Sequence, residues 1–428
     1  MRNFKLFFES ISNSSELKNQ VLSSAFFREI RRMGGRVYFV GGFVRDFHLN
    51  MESKDVDLIV SNMPHEQLIT ILKRHGEVNE VGESFGVLKF LPNEFKVPEP
   101  IDIALPRTER PMTQEEREQY KAKRGKYPSA YQAFATEPDH KLGVESDLQR
   151  RDFTINAIAQ DHMGNNIDPH GGVDDIKNKV IKMVSPKNFS EDPLRMLRGV
   201  QFASRFPGFS IESETFDVIR RNAGLIKGIP GERILLEIEK IVVKGNQLVG
   251  AKLLCETNLW QEISSLPCSD HESNSHLFKL SSQSKTIAEF LFLMSSDGAS
   301  LSEALSLARR LKCEVLTEKH IKGLYLAWDR DSWGRVSGEA NPHMTVFNIN
   351  RIHPTCLNLL VYPQEIKESI DSDMPKSFKD LAISGNDVIS LGYKDEKVSQ
   401  VFLKVLEQIF SGRLTNSKES IIEYIRSA

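Results

Sequence analysis

Two apolar periods alternate over the first part of the chain, and each change of period marks an element. ELKNQVLSSAFFREIRRM (16–33) carries Leu17, Val21, Leu22, Ala25, Phe26 and Ile30 at helical spacing and stops at Gly34 and Gly35, which predicts one helix leading into the first strand. RVYFVGG then reads as a buried strand ending in a glycine turn, VRDFHL as a helix start and DVDLIV as the second strand. HEQLITILKRHG has helical periodicity with a glycine stop, and GVLKFL and PIDIAL read as further strands. Strands alternating with helices predict a sheet covered by helices over roughly residues 35 to 160. Between IDIALP and DLQRRDFTINAIA, residues 106–147 form a polar insertion of about forty residues, too long for a passive connection and expected to be a mobile functional loop. Beyond Gly172 the strand period fades. From Asp192 on, PLRMLRGVQFASRF, ESETFDVIRRNAG, GERILLEIEKIVV, LVGAKLLCETNLW and LSEALSLARRL all read as helices, and the polar stretch PCSDHESNSH is the best internal boundary.

Composition narrows this picture. At 428 residues the chain is too long for one ordinary core, so two or three domains are expected. A formal net charge of -2, with 27% charged residues, provides no global positive field for nucleic acid, so such a partner needs a local stripe. The densest basic run, RTERPMTQEEREQYKAKRGK, is nearly balanced by its own acids and reads first as a solvated face. Cys255, Cys268, Cys313 and Cys356 are scattered without a CxxC pair, which suggests neither a zinc site nor a disulfide framework. MRNFKLFFES is apolar but soon gives way to polar residues and fits neither a signal peptide nor a membrane span. A soluble cytoplasmic protein is the expectation.

The candidate chemistry begins at YFVGGFVRDFHLNMESKDVDLIV. Asp55 and Asp57 are one residue apart in a strand pattern, so their side chains leave the same face. Like charges held together call for a cation, and two carboxylates plus substrate phosphate oxygens are a usual way to hold Mg2+. A bare DxD is more often two solvent-facing aspartates. Here Gly41 and Gly42 remove Cβ atoms where a strand gives way to a helix, and Arg45 follows one turn later, a combination suited to a phosphate cradle. Cradle and carboxylate pair together describe a site for a nucleoside triphosphate.

GGFVRDFHLNMESKDVDLIV resembles the signature of the class II CCA-adding tRNA nucleotidyltransferases and bacterial poly(A) polymerases, and the resemblance continues in order through RRDFTINAIA, IDPHGGVDDIKNKVI and EDPLRMLRGVQFASRF. It covers about residues 35 to 240 and implies an α+β architecture. An N-terminal helix (1–34) would precede a nucleotidyltransferase palm (35–184) with a mixed, polymerase β-like sheet. An all-α neck (185–245) and a helical body and tail (246–428) that holds tRNA would follow. The implied reaction is attack of an RNA 3′-hydroxyl on the α-phosphate of a bound triphosphate, with Mg2+ on Asp55 and Asp57. By the same resemblance Gly41, Gly42 and Arg45 contact the nucleotide, Arg151 contacts the triphosphate, Asp152 and Asn156 touch the ribose, and Arg198 binds nucleotide. Asp102 in PIDIAL would be a third carboxylate near the attacking hydroxyl. The plainer readings are a strand-end aspartate for Asp102 and a helix cap for Asp152.

In EDPLRMLR, Pro193 suits the first helical position with Asp192 just before it, and Asp192, Arg195 and Arg198 follow at intervals of three. Adenine and cytosine both present an exocyclic amine beside a ring-nitrogen acceptor, whereas uracil and guanine present a carbonyl and an N–H in those places. A carboxylate beside a guanidinium matches only the first pair, so Asp192 and Arg195 form a candidate protein template for CTP and ATP. The alternative is an ordinary i,i+3 ion pair. The functional expectation is completion of the CCA end of tRNA, with partial CC or A addition, poly(A) synthesis or an inactive RNA-binding relative as alternatives. No His-Asp dipeptide marks an appended phosphohydrolase, and His271 and His276 read as surface residues.

Overall fold

A computed structural model describes residues 14–53, 55–81, 87–125, 127–128, 132–268, 286–295, 299–328, 342–352 and 364–427. The first helical run is two helices rather than one: α1 (Ser14–Ser23) and α2 (Ala25–Arg32). Ser24 breaks it. Its backbone is extended, and its hydroxyl accepts from the amide of Phe27, satisfying a donor that α2 leaves open. Helical spacing cannot show such a break, because both helices bury apolar residues of the same run.

β1 (Arg36–Val40), α3 (Gly42–His48), β2 (Asp57–Ser61), α4 (His65–His75), β4 (Val87–Pro92) and β5 (Ile101–Ala104) follow the apolar pattern, while β3 (Gly76–Val81) was not anticipated. With β8 (Ala159–Gln160) and β9 (Asn166–Ile167) they form a seven-stranded sheet in the order β3-β4-β5-β2-β1-β8-β9. Only β2 and β5 run parallel, so the sheet is mixed. Side chains alternate across it. Phe39 packs between Phe27 and Phe43, and Phe26 meets Phe90 edge-on at 4.9 Å. Val40, Ile59, Ala104 and Ala159 instead pack with Val144 and Leu148 of α6 (Val144–Gln149). Asp57 and Asp102 lie two residues from Ile59 and Ala104 and so belong to the α6 face.

The insertion expected as a mobile loop holds regular structure. β6 (Arg107–Pro111) pairs antiparallel with β7 (Phe134–Pro138), and α5 (Gln114–Arg124) lies between them. Thr113 and Glu116 form a reciprocal cap on α5, Gly125 closes it in the left-handed conformation, and none of its residues is buried. That last point agrees with reading the charged run as a solvated face. Its local turn and cap chemistry was in the sequence, but the strand pairing joins segments more than twenty residues apart.

Past the sheet come α7 (Gly172–Asn178), α8 (Pro186–Glu191), α9 (Leu194–Arg205) and α10 (Ser213–Asn222). α9 begins one residue later than expected: Pro193 caps it, and Asp192 ends α8 in an extended conformation. The remaining described elements are mostly helical, and in the tail Phe347, Val405, Leu406 and Ile421 centre a separate apolar cluster. Backbone contacts divide the chain into two units, Met1–Pro230 with Leu253–Ile263, and Gly231–Lys252 with Ser264–Ala428. Among the described residues no helix is long and apolar enough to cross a membrane.

Cys255 and Cys268 are both disulfide-bonded, contrary to the expectation from their spacing, and Cys313 is free. Spacing reports proximity along the chain, whereas a disulfide needs proximity in space. Cys356, His271, His276 and the apolar N-terminal patch lie outside the described residues. Removing the interhelical cap with Ser24→Ala is expected to cost about 1 kcal/mol locally, read as roughly fivefold faster amide exchange in the first turn of α2.

Candidate active site

The turn after β1 has room for nothing but glycine. Gly41 sits at φ 69° and ψ -136°, and a Cβ there would lie 2.5 Å from Nη1 of Arg151 and 3.2 Å from Oδ2 of Asp57. The missing side chain therefore lets a guanidinium and a carboxylate approach the same point on the backbone.

Asp57 opens β2, and Asp55 lies two residues before it, exposed and just outside the strand. Parallel pairing sets Asp57 in register with Asp102 on β5, so the two carboxylates are neighbours on one face. Lys89 on β4 stands opposite Asp102 and donates to its Oδ1 at 2.7 Å. Burial pushes the Asp57 carboxyl up to about 6. Arg151 and Lys89 pull the other way, while Asp102 and Asp55 add to the rise. Among the described residues no three acidic, histidine or cysteine side chains form a ready-made cation cage. The donor set still suits a hard divalent cation. A half-buried carboxylate with like-charged neighbours would gain from one, with oxygens from outside the chain needed to complete its coordination.

Beside this pair lies an arginine cluster built on one acid. Asp147 on α6 has a fully buried side chain. Its Oδ1 accepts from Nε and Nη2 of Arg150 at 2.9 and 2.7 Å, and its Oδ2 accepts from Nε and Nη2 of Arg151 at 3.2 and 2.9 Å. The charge of Arg150 is also met by Glu109 of β6, whose Oε1 accepts from Nη1 at 2.7 Å; Oε2 of the same glutamate is 3.6 Å from Arg195. Arg195 in turn donates to the Asn188 carbonyl at 3.1 Å. Asp192 is half-buried, and its carboxylate accepts from the Leu194 amide at 3.3 Å.

A second network ties α3 to α9. The buried Arg45 guanidinium donates to Asp46 and, at 2.7 Å, to Oδ1 of Asn156, and it lies 5.2 and 5.0 Å from the ring centres of Phe202 and Phe206. The amide of Asn156 donates to Oδ1 of Asp152 at 2.9 Å, and Arg198 donates to Oδ2 of Asp152 at 2.7 Å while lying 5.3 Å from Phe202. Burial works against the Asp152 charge, yet Arg198, Asn156 and the Phe153 amide hold its pKa at about 2. The IDPHGG segment supports this network from below: Asp168 accepts from the amides of Gly172 and Val173, and a Cβ on Gly172 would strike the carbonyl of Thr154 in the 3-10 turn that carries Asn156.

The structure thus gathers Gly41, Asp57, Asp102 and Arg151 at one end of the sheet, with Asp55 adjoining. Arg45, Asp152, Asn156 and Arg198 belong to one internal bonding network. Sequence reading passed over Asp147, Glu109 and Lys89. Asp147 had a local signal, because a carboxylate three and four residues before two arginines meets them on a helix. Glu109 and Lys89 had none.

Residues 37–182 match the family model described as Poly A polymerase head domain, and residues 208–267 match that described as Probable RNA and SrmB- binding site of polymerase A. The CCA-adding enzyme of Geobacillus sp. (strain WCH70) is 29% identical over 407 residues, covering 92% of this chain and 94% of that protein. The CCA-adding enzyme of Enterococcus faecalis is 29% identical over 418 residues, covering 93% and 94%. The Thermotoga maritima CCA-adding enzyme complexed with tRNA shares the fold, with a TM-score of 0.66 at 21% identity over 99% of this chain and 98% of that one.

Asp152→Asn keeps the shape of the second network but removes its central charge. A carboxyl whose folded pKa is depressed stabilises the protein above its ordinary value of 3.8, and that contribution is lost as pH falls through about 2. The variant should be about 2 kcal/mol less stable than wild type near neutral pH, with the difference shrinking steadily below about pH 4 in urea denaturation.

Proposed function

This chain belongs to the family of CCA-adding enzymes and bacterial-type poly(A) polymerases, and we propose that it builds or repairs the 3′-terminal CCA of tRNA from CTP and ATP, releasing pyrophosphate. It is a nucleotidyltransferase. The observation that carries the reading is the match to CCA-adding enzymes over 92% of this chain, joined to the Asp57 carboxylate and Arg151 meeting at a Cβ-less turn.

The triphosphate lies over Gly41 and Gly42, where Arg151 meets its negative oxygens. Asp55 and Asp57 would hold Mg2+, which when bound would supply positive charge beside the leaving pyrophosphate and the attacking hydroxyl. Asp102, on the same face as Asp57, borders the path of the RNA 3′-hydroxyl. Its Oδ1 accepts from Lys89 at 2.7 Å. Asp192 accepts from the amine of cytosine or adenine, and Arg195 donates to the neighbouring ring nitrogen. Uracil or guanine would leave both side chains facing like groups, a mismatch that can discriminate by roughly 10⁴. Arg45, Asp152, Asn156 and Arg198 act on the nucleotide from the shared network that joins the α3 turn to the selecting helix. The palm spans 35–184 behind the N-terminal segment 1–34, the neck spans 185–245, and the helical region 246–428 receives the tRNA.

Labelled CTP offered alone with tRNA lacking CCA should be incorporated, and ATP added afterwards should extend the product by one residue and stop. A poly(A) polymerase would leave CTP untouched and run on with ATP. Asp55→Ala and Asp57→Ala should abolish incorporation, whereas Asp192→Ala should admit UTP or GTP by eroding the roughly 10⁴ preference. Slower but equally selective incorporation by Asp192→Ala would remove the template assignment.

A further inference from the structure

Arg151 has two carboxylates to choose between. Asp147 holds its Nε and Nη2, and Asp57 faces the Nη1 end across the Gly41 turn. A guanidinium that closed onto Asp57 would neutralise the carboxylate meant for the cation and turn its donors away from a triphosphate.

The cluster has a symmetry that bears on this choice. Each Asp147 oxygen takes the Nε–Nη2 edge of one arginine, so both guanidinia present their Nη1 ends outward in opposite tasks. The Nη1 of Arg150 goes to Glu109, and that of Arg151 goes to the Gly41 turn. Arg107 adds a third positive charge near the same acid. Three guanidinia around one buried carboxylate are stable as arranged only while that carboxylate is charged.

We infer that Asp147 is a positioning residue that holds Arg151 away from Asp57, keeping the acidic pair open to a divalent cation and the Nη1 end of Arg151 open to the triphosphate. It touches neither ligand. Without its charge, repulsion from Arg150 and Arg107 drives Arg151 toward Asp57, whose carboxylate borders the same Gly41 turn as its Nη1. The inference rests on the proposed roles of Asp57 and Arg151.

The test is Mn2+ binding by the full chain without nucleotide, followed by electron paramagnetic resonance, with Asp57→Asn as the control for site identity. Asp147→Asn should weaken Mn2+ binding by roughly ten- to hundredfold, as loss of a group behind a ligand does. Adding Arg151→Gln to it should restore binding to near the wild-type level, because the competing cation is gone. A loosened fold would leave the double variant as weak as the single one, and that result, or an unaffected Asp147→Asn, would overturn the inference. Should Asp147→Asn fail to fold, Arg150→Gln decides: it removes a guanidinium that competes with Arg151 for Asp147, so Mn2+ affinity must hold or rise, and a fall contradicts the inference. If Asp57→Asn leaves wild-type Mn2+ binding intact, the proposed metal site fails instead.

Discussion

The active end of this molecule depends on keeping opposite charges close without letting them pair. Arg151 and Asp57 approach the same backbone point, and only the absence of a Cβ at Gly41 makes space for both. In the proposed function the carboxylate serves a cation and the guanidinium a phosphate, so the two are not to pair. Each is therefore restrained from behind: Asp57 by strand pairing with Asp102, Arg151 by the buried Asp147. Parallel pairing of β2 with β5 is what sets two aspartates side by side, and it is the single parallel contact in an otherwise antiparallel sheet.

The second constraint links the two ends of a nucleotide. Arg45 leaves the helix after the glycine turn, and its stacking on Phe202 and Phe206 reaches the helix that carries Arg195 and Arg198. Asn156 and Asp152 close the circuit through hydrogen bonds of 2.7 to 2.9 Å. If the proposed roles hold, a triphosphate at the turn and a base at α9 would meet one connected network of side chains. Under that proposal, selection of a base and alignment for transfer would be parts of the same geometry.

Much of this was legible because it is local. Period-two apolar runs gave β1, β2, β4 and β5, the 3.6-residue period gave α4 and α9, and the glycines mark the turn between β1 and α3. What escaped was long-range or brief. Ser24 splits one apolar run into two helices, β3 starts at the very glycine that reads as a stop, and β6 finds β7 across a charged helix. The glycines beside Arg45 in sequence suggest a phosphate contact, but nothing local shows its aromatic partners, which lie more than 150 residues away. Glu109 carries no mark at all until the fold brings Arg150 and Arg195 to it.

The most direct measurement is a crystal of the full chain with CTP and Mn2+, read by the anomalous signal of the ion. The expected map has an ion between Asp55 and Asp57, phosphates over the Gly41 turn within reach of Arg151, and the cytosine edge against Asp192 and Arg195. An ion seated elsewhere, or a base turned away from α9, would contradict it.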